Sequence, residues 1–122
     1  MVKKIIVHAG FHKTGTTAIQ SSFYAATEKL EKAGITYPHT GGKAHHKAIY
    51  SFMGKTWGWE DRGGVAASDE KWRKFLKSVK QAKSQALISS EFFCEFSEEQ
   101  IIKFKTDIDC DDVTIYFTLR PL

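Results

Sequence analysis

The sequence predicts an α/β fold, a parallel sheet flanked by helices, and three observations predict it. The run "KKIIVHA" (Lys3–Ala9) is short, rich in β-branched residues and ended by Gly10, as a buried strand is. Two further strand-like runs follow, "ALISS" (Ala86–Ser90) and "VTIYFTL" (Val113–Leu119). Helix-periodic segments separate them, and strands alternating with helices build parallel sheets covered on both faces.

Each element has its own local reason. After the first strand, Ile19, Phe23, Ala26, Leu30 and Ala33 recur at spacings of four and three, one face of a single helix with Gly34 as its C-terminal cap. "ITY" before Pro38 reads as a short second strand. The segment from His39 to Gly64 is glycine-rich, with a short helix expected around Ala44–Met53 and loop elsewhere. Ser68 is placed to cap the next helix, with Asp69 and Glu70 in its first turn and Trp72, Phe75, Leu76 and Val79 as its buried stripe. The lysines between them read as a solvated face. "SEEQ" (Ser97–Gln100) has the spacing of a capping box and starts a helix through Phe104. Val113–Leu119 reads as a central strand. It is too apolar for a surface tail, so a second copy of the chain or a further C-terminal segment is expected to cover it.

Composition narrows the class. Residues 1–122 fit one domain, and the apolar fraction of 42% supports a packed core. No apolar run approaches the roughly 20 residues of a membrane span. Basic residues number 18 against 14 acidic, interspersed, giving a net charge of +4. That balance suits an anionic ligand and does not argue for nucleic acid. Cys94 and Cys110 form no CxxC pair or ligand cluster, so reduced thiols and a cytoplasmic setting are expected.

The chemistry is concentrated in "GFHKTGTTAIQ" (Gly10–Gln20). A glycine loop between strand and helix aims backbone N–H groups and the positive helix end at an anion. The ATPase loop, G-x-x-x-x-G-K-[ST], sets lysine beside the second glycine and a hydroxyl on magnesium. Here Gly10 and Gly15 keep the glycine spacing and Thr17 keeps the hydroxyl, yet Thr16 fills the lysine slot and the lysine is Lys13. The expected core is therefore P-loop nucleotide-hydrolase-like with altered anion chemistry.

"HKTGTT" after a strand resembles the 5′-phosphosulfate loop of the sulfotransferases that use 3′-phosphoadenosine 5′-phosphosulfate (PAPS), whose usual form is P-K-x-G-T-T; His12 stands in place of proline. "LISSEFF" places Glu91 where carbohydrate sulfotransferases carry a catalytic glutamate. "IYFTLRPL" is similar to the strand ending in an Arg-Asp-Pro or Arg-Asn-Pro turn, without the residue between arginine and proline. The matching stretches run from Ile5 to Ser22 and from Leu87 to Pro121. The resemblance implies a sulfotransferase core. In it Gly10, His12, Lys13, Thr14, Gly15, Thr16 and Thr17 would form the 5′-phosphosulfate loop. Arg120 would meet the 3′-phosphate, and Lys13 and Glu91 would be catalytic. It also implies PAPS as co-substrate, 3′-phosphoadenosine 5′-phosphate (PAP) as product, no metal, and a carbohydrate, lipid-linked or small-molecule hydroxyl as acceptor. The family's later serine and its segment closing over the 3′-phosphate have no counterpart before Leu122. The chain is thus expected to be either the N-terminal portion of a longer enzyme or a reduced relative.

Plainer readings stand beside these. Glu91 could be an exposed acid and Arg120 an ordinary surface arginine. His45 and His46 are adjacent, point apart on a helix and lack a partner cluster, which favours packing over metal or acceptor binding. His8 and His12 lie on strand and loop and make a poor metal pair. Trp57 and Trp59 suit either an acceptor platform or packing. The competing functions are a magnesium–nucleoside-triphosphate kinase or ATPase, and a non-catalytic nucleotide-binding module.

Overall fold

The computed structural model describes residues 2–10, 16–39, 43–54 and 69–118. In order they form β1 (Lys4–Gly10), α1 (Thr16–Ala25), α2 (Thr27–Lys32), β2 (Ile35–Thr36), α3 (His46–Met53), α4 (Glu70–Lys80) and β3 (Gln85–Ser89). A 3-10 helix at Glu91–Glu95, α5 (Glu98–Ile108) and β4 (Val113–Thr118) complete them. The four strands pair in the order β2-β3-β1-β4, and every pairing is parallel.

The alternation of β1 assigns the two faces. Ile5, Val7 and Ala9 pack into a core with Ala48, Ile49 and Phe52 of α3, Trp72, Phe75 and Val79 of α4, and Phe104 and Ile108 of α5. His8 points the other way and meets Phe23 of α1 edge-on, with ring centroids 5.5 Å apart. The α3–α5 face is strongly aromatic: Phe52, Trp72, Phe96 and Phe104 have ring centroids 4.8–5.9 Å apart. Such pairs each add about 0.5–1.5 kcal/mol beyond their buried area. Trp72 keeps its one polar atom satisfied by donating Nε1–H to Asp107 at 2.9 Å.

Local expectations hold where the signal is local. Ser97 and Gln100 form the full capping box, each side chain accepting the other's backbone N–H. The helix they start continues past Phe104 to Ile108, ending at Asp109 in the left-handed region. Trp72, Phe75 and Val79 are buried as the stripe predicted, with Leu76 half-buried. Asp69 flanks the start of α4, and the expected cap Ser68 lies outside the described residues. Gly34 turns the chain after α2 with φ +84°.

Two expectations are corrected. The single helix from Ile19 to Ala33 is two, α1 and α2, separated by a turn at Ala26 (φ −95°, ψ 14°). There the Thr27 hydroxyl donates to the Tyr24 carbonyl at 2.7 Å and also lies 3.0 Å from His39 Nε2, so a side chain competes with the helical ladder. β4, read as central, is an edge strand of the described sheet, its one neighbour being β1. Ile115, Tyr116 and Phe117 are 54%, 58% and 55% exposed, so both faces of β4 are open among the described residues, unlike those of β1 and β3. Sheet order depends on which strand each crossover passes, and the apolar run of β4 carries no such information.

Cys94 and Cys110 are half-buried and free of disulfides. No helix among the described residues is long and apolar enough to cross a membrane.

Candidate functional site

The crossovers create the site. The connection leaving β1 travels past β3 to reach β2, and the one leaving β3 travels past β1 to reach β4. The chain therefore diverges to opposite sides between the carboxyl ends of two adjacent parallel strands, where ligands of open α/β sheets bind.

The register fixes what meets there. His8 pairs with Ser89, and Ser90 N–H donates to the His8 carbonyl at 3.1 Å, continuing that pairing one residue beyond β3. Glu91 follows as the first residue of the 3-10 helix, half-buried. On the other side of β1, Gly10 pairs with Thr118, the last residue of β4. The end of β1, the glutamate and the end of β4 thus leave the sheet side by side. α1 begins at Thr16, directly after the glycine loop.

His12, Lys13, Thr14, Gly15, Arg120, Trp57 and Trp59 lie outside the described residues, as do the side chains of Thr16 and Thr17. Of the candidate residues from the sequence, the structure brings together Gly10 and Glu91, at the ends of neighbouring strands.

Histidines and hydroxyls hold this edge of the sheet. His8 Nδ1 lies 2.8 Å from Ser89 Oγ and its Nε2 2.6 Å from Thr118 Oγ1, so one imidazole links β3, β1 and β4. Burial lowers its pKa from the usual histidine value and favours the neutral ring. That ring offers one donor and one acceptor, which two hydroxyls can match in either sense.

His45 is fully buried and takes over where β2 stops. β2 pairs with β3 only at Gln85 and Ala86. Farther along, Ser89 N–H donates to His45 Nδ1 at 2.9 Å, and His45 N–H donates to the Ser89 carbonyl at 2.9 Å. With Nδ1 accepting, Nε2 carries the proton and donates to the Pro38 carbonyl at 2.7 Å. Burial, opposed by the Pro38 hydrogen bond and aided by His46 and His39, pushes the His45 pKa down to about 4. Its ring sits between Tyr37 and Phe75, with centroids 4.5 Å and 4.9 Å away. Tyr37 in turn donates its hydroxyl to the Lys43 carbonyl, and burial raises its pKa.

His46 does something else. It opens α3, and its Nδ1 lies 2.8 Å from Ser90 Oγ, immediately before Glu91. Its ring meets Phe92 edge-on at 4.9 Å, and Tyr50, one turn later, stacks on Phe92 at 4.4 Å. One face of α3 therefore lies along the Ser90–Glu91–Phe92 corner. The two histidines have different partners, and packing and hydrogen bonding account for His45. Among the described residues no three His, Cys, Asp or Glu side chains gather as metal ligands would.

Sequence reasoning missed Ser89, Ser90 and Gln20. The serines had a signal: two hydroxyls at the end of a buried strand, both fully buried here, need partners. Gln20 on α1 is 2% exposed, and its Nε2 has no hydrogen-bond partner among the described residues. Compared with known proteins, the chain matches no family model, no curated protein and no solved structure.

Proposed function

We propose that the chain is the PAPS-binding core of a sulfotransferase that sulfates an acceptor hydroxyl. One observation carries this reading. The residues of the phosphosulfate-like loop follow β1, and the parallel register sets Glu91 next to the end of that strand, with Thr118, two residues before Arg120, on its other side. Motif order along the sequence and strand order in the sheet are independent, and both support this reading.

The chain's residues would act as follows. The first amides of α1 and the Gly15 amide hold the 5′-phosphate, with the Thr16 and Thr17 hydroxyls beside them. Arg120 meets the 3′-phosphate. PAPS supplies the sulfuryl group, whose bond to the phosphate oxygen breaks as the acceptor oxygen bonds to sulfur. Glu91 accepts the proton that the acceptor hydroxyl loses. Lys13 offsets the negative charge left on the departing phosphate oxygen. As in phosphoryl transfer, positioning and preorganised charge would supply most of the rate. A carbohydrate, lipid-linked or small-molecule hydroxyl is the acceptor this reading favours.

Ligand-induced stabilisation tests it. PAP at one hundred times its Kd should stabilise the fold by about 2.7 kcal/mol in thermal unfolding, with ATP and magnesium giving less. Stabilisation by magnesium–ATP without any by PAP would replace the reading with a kinase or ATPase. PAP binding without sulfate transfer from PAPS would leave a nucleotide-binding module.

A further inference from the structure

The histidine pair at the start of α3 divides its labour, and the second member is not accounted for by packing. Ser90 is fully buried, and its Oγ accepts the Phe92 N–H at 3.2 Å. His46 Nδ1 lies 2.8 Å from the same oxygen, which keeps its one proton and a second lone pair for that contact. The same serine donates its backbone N–H to His8 and precedes Glu91, so its side chain and main chain both fix the corner from which Glu91 leaves the sheet. Phe92, next along, is held between the His46 edge and the Tyr50 face.

We propose that His46 is a positioning residue, which acts through the Ser90 hydroxyl to set the orientation of the Glu91 carboxyl group. This rests on the sulfotransferase reading for its purpose, since a general base must be held within hydrogen-bond reach of the proton it removes. The geometric claim itself, that His46 and Glu91 are coupled through Ser90, stands without that reading.

The test uses the whole chain and four forms: wild type, His46→Ala, His46→Gln and His46→Asn. Asparagine places an amide oxygen near the Nδ1 position and can accept from Ser90, whereas glutamine carries its amide to the Nε2 position and leaves Ser90 unmatched. Nitrogen NMR of the wild-type ring identifies which nitrogen carries the proton, and the asparagine amide can match Ser90 Oγ in either sense. Carbon NMR should show the Glu91 titration midpoint displaced by about half a pH unit or more in His46→Ala and His46→Gln, and returned toward wild type in His46→Asn. Should His46→Ala fail to fold, the glutamine and asparagine forms carry the comparison. A Glu91 midpoint unchanged in the substituted forms, or no recovery with asparagine, would overturn the proposal. PAP binding is measured on the same samples. Failure of the wild type to bind PAP would count against the sulfotransferase reading, while the Glu91 titrations would still decide the coupling.

Discussion

His45 should make folding stability depend on acidity in a defined window. Its folded pKa of about 4 lies below the ordinary value of 6.5, with burial the largest cause. As pH falls below 6.5 the unfolded chain takes up a proton that folded His45 refuses until about pH 4. Stability present above 6.5 is therefore lost as pH falls through that window, with a limiting slope of about 1.4 kcal/mol per pH unit and a total of about 3 kcal/mol. His8, also lowered by burial, adds a loss of the same sign. His45→Asn isolates the first contribution. Its amide oxygen can still accept from Ser89 N–H, but the buried Pro38 carbonyl loses its donor, at about 1–3 kcal/mol at any pH. Urea unfolding followed by tryptophan fluorescence, with buried Trp72 among the reporters, gives both quantities at a series of pH values. At pH 8 the variant should be less stable. Between pH 6 and 4.5 its stability should fall less steeply than wild type by about 1.4 kcal/mol per pH unit, the His8 contribution cancelling in the difference. Parallel slopes for the two proteins would refute the assignment of a buried neutral imidazole to His45.

Other outcomes follow from the site and the core. Lys13→Ala should lower sulfate transfer from PAPS by about 10²–10³-fold, the loss expected for one preorganised donor, and near-normal turnover would remove its role. Glu91→Gln should lower turnover by about 10²–10⁴-fold while PAP affinity measured calorimetrically persists; an equal loss of affinity would point to a structural carboxylate. Gln20→Met removes the buried amide, whose Nε2 has no partner among the described residues, while keeping similar volume. It should be neutral or stabilising by about 1 kcal/mol in urea unfolding, and a clear loss would show that the amide has a partner in solution.

What could be read from the sequence depended on the distance over which each feature acts. The Ser97–Gln100 capping box spans three residues, and its side-chain chemistry is local, so it was legible in full. β1 and its terminal glycine were legible for the same reason. The break at Ala26 was not legible, because the apolar spacing runs unbroken through it while the Thr27 hydroxyl diverts the backbone. The edge position of β4 escaped because it arises from the long crossover between Ser89 and Val113, not from composition. His45 was legible as a packed residue but not as a surrogate strand neighbour, since its partner Ser89 lies 44 positions away.

The Ser89–His8–Thr118 link has a consequence for proton order. Each hydroxyl can give or take a hydrogen bond, so the imidazole can carry its proton on Nδ1 or on Nε2 with both contacts intact. Exchanging the two states requires one ring nitrogen to lose its proton, the other to gain one, and both hydroxyls to reorient, with the heavy atoms kept in place. The three strand ends are thus fixed in position while the polarity of the row joining them is reversible.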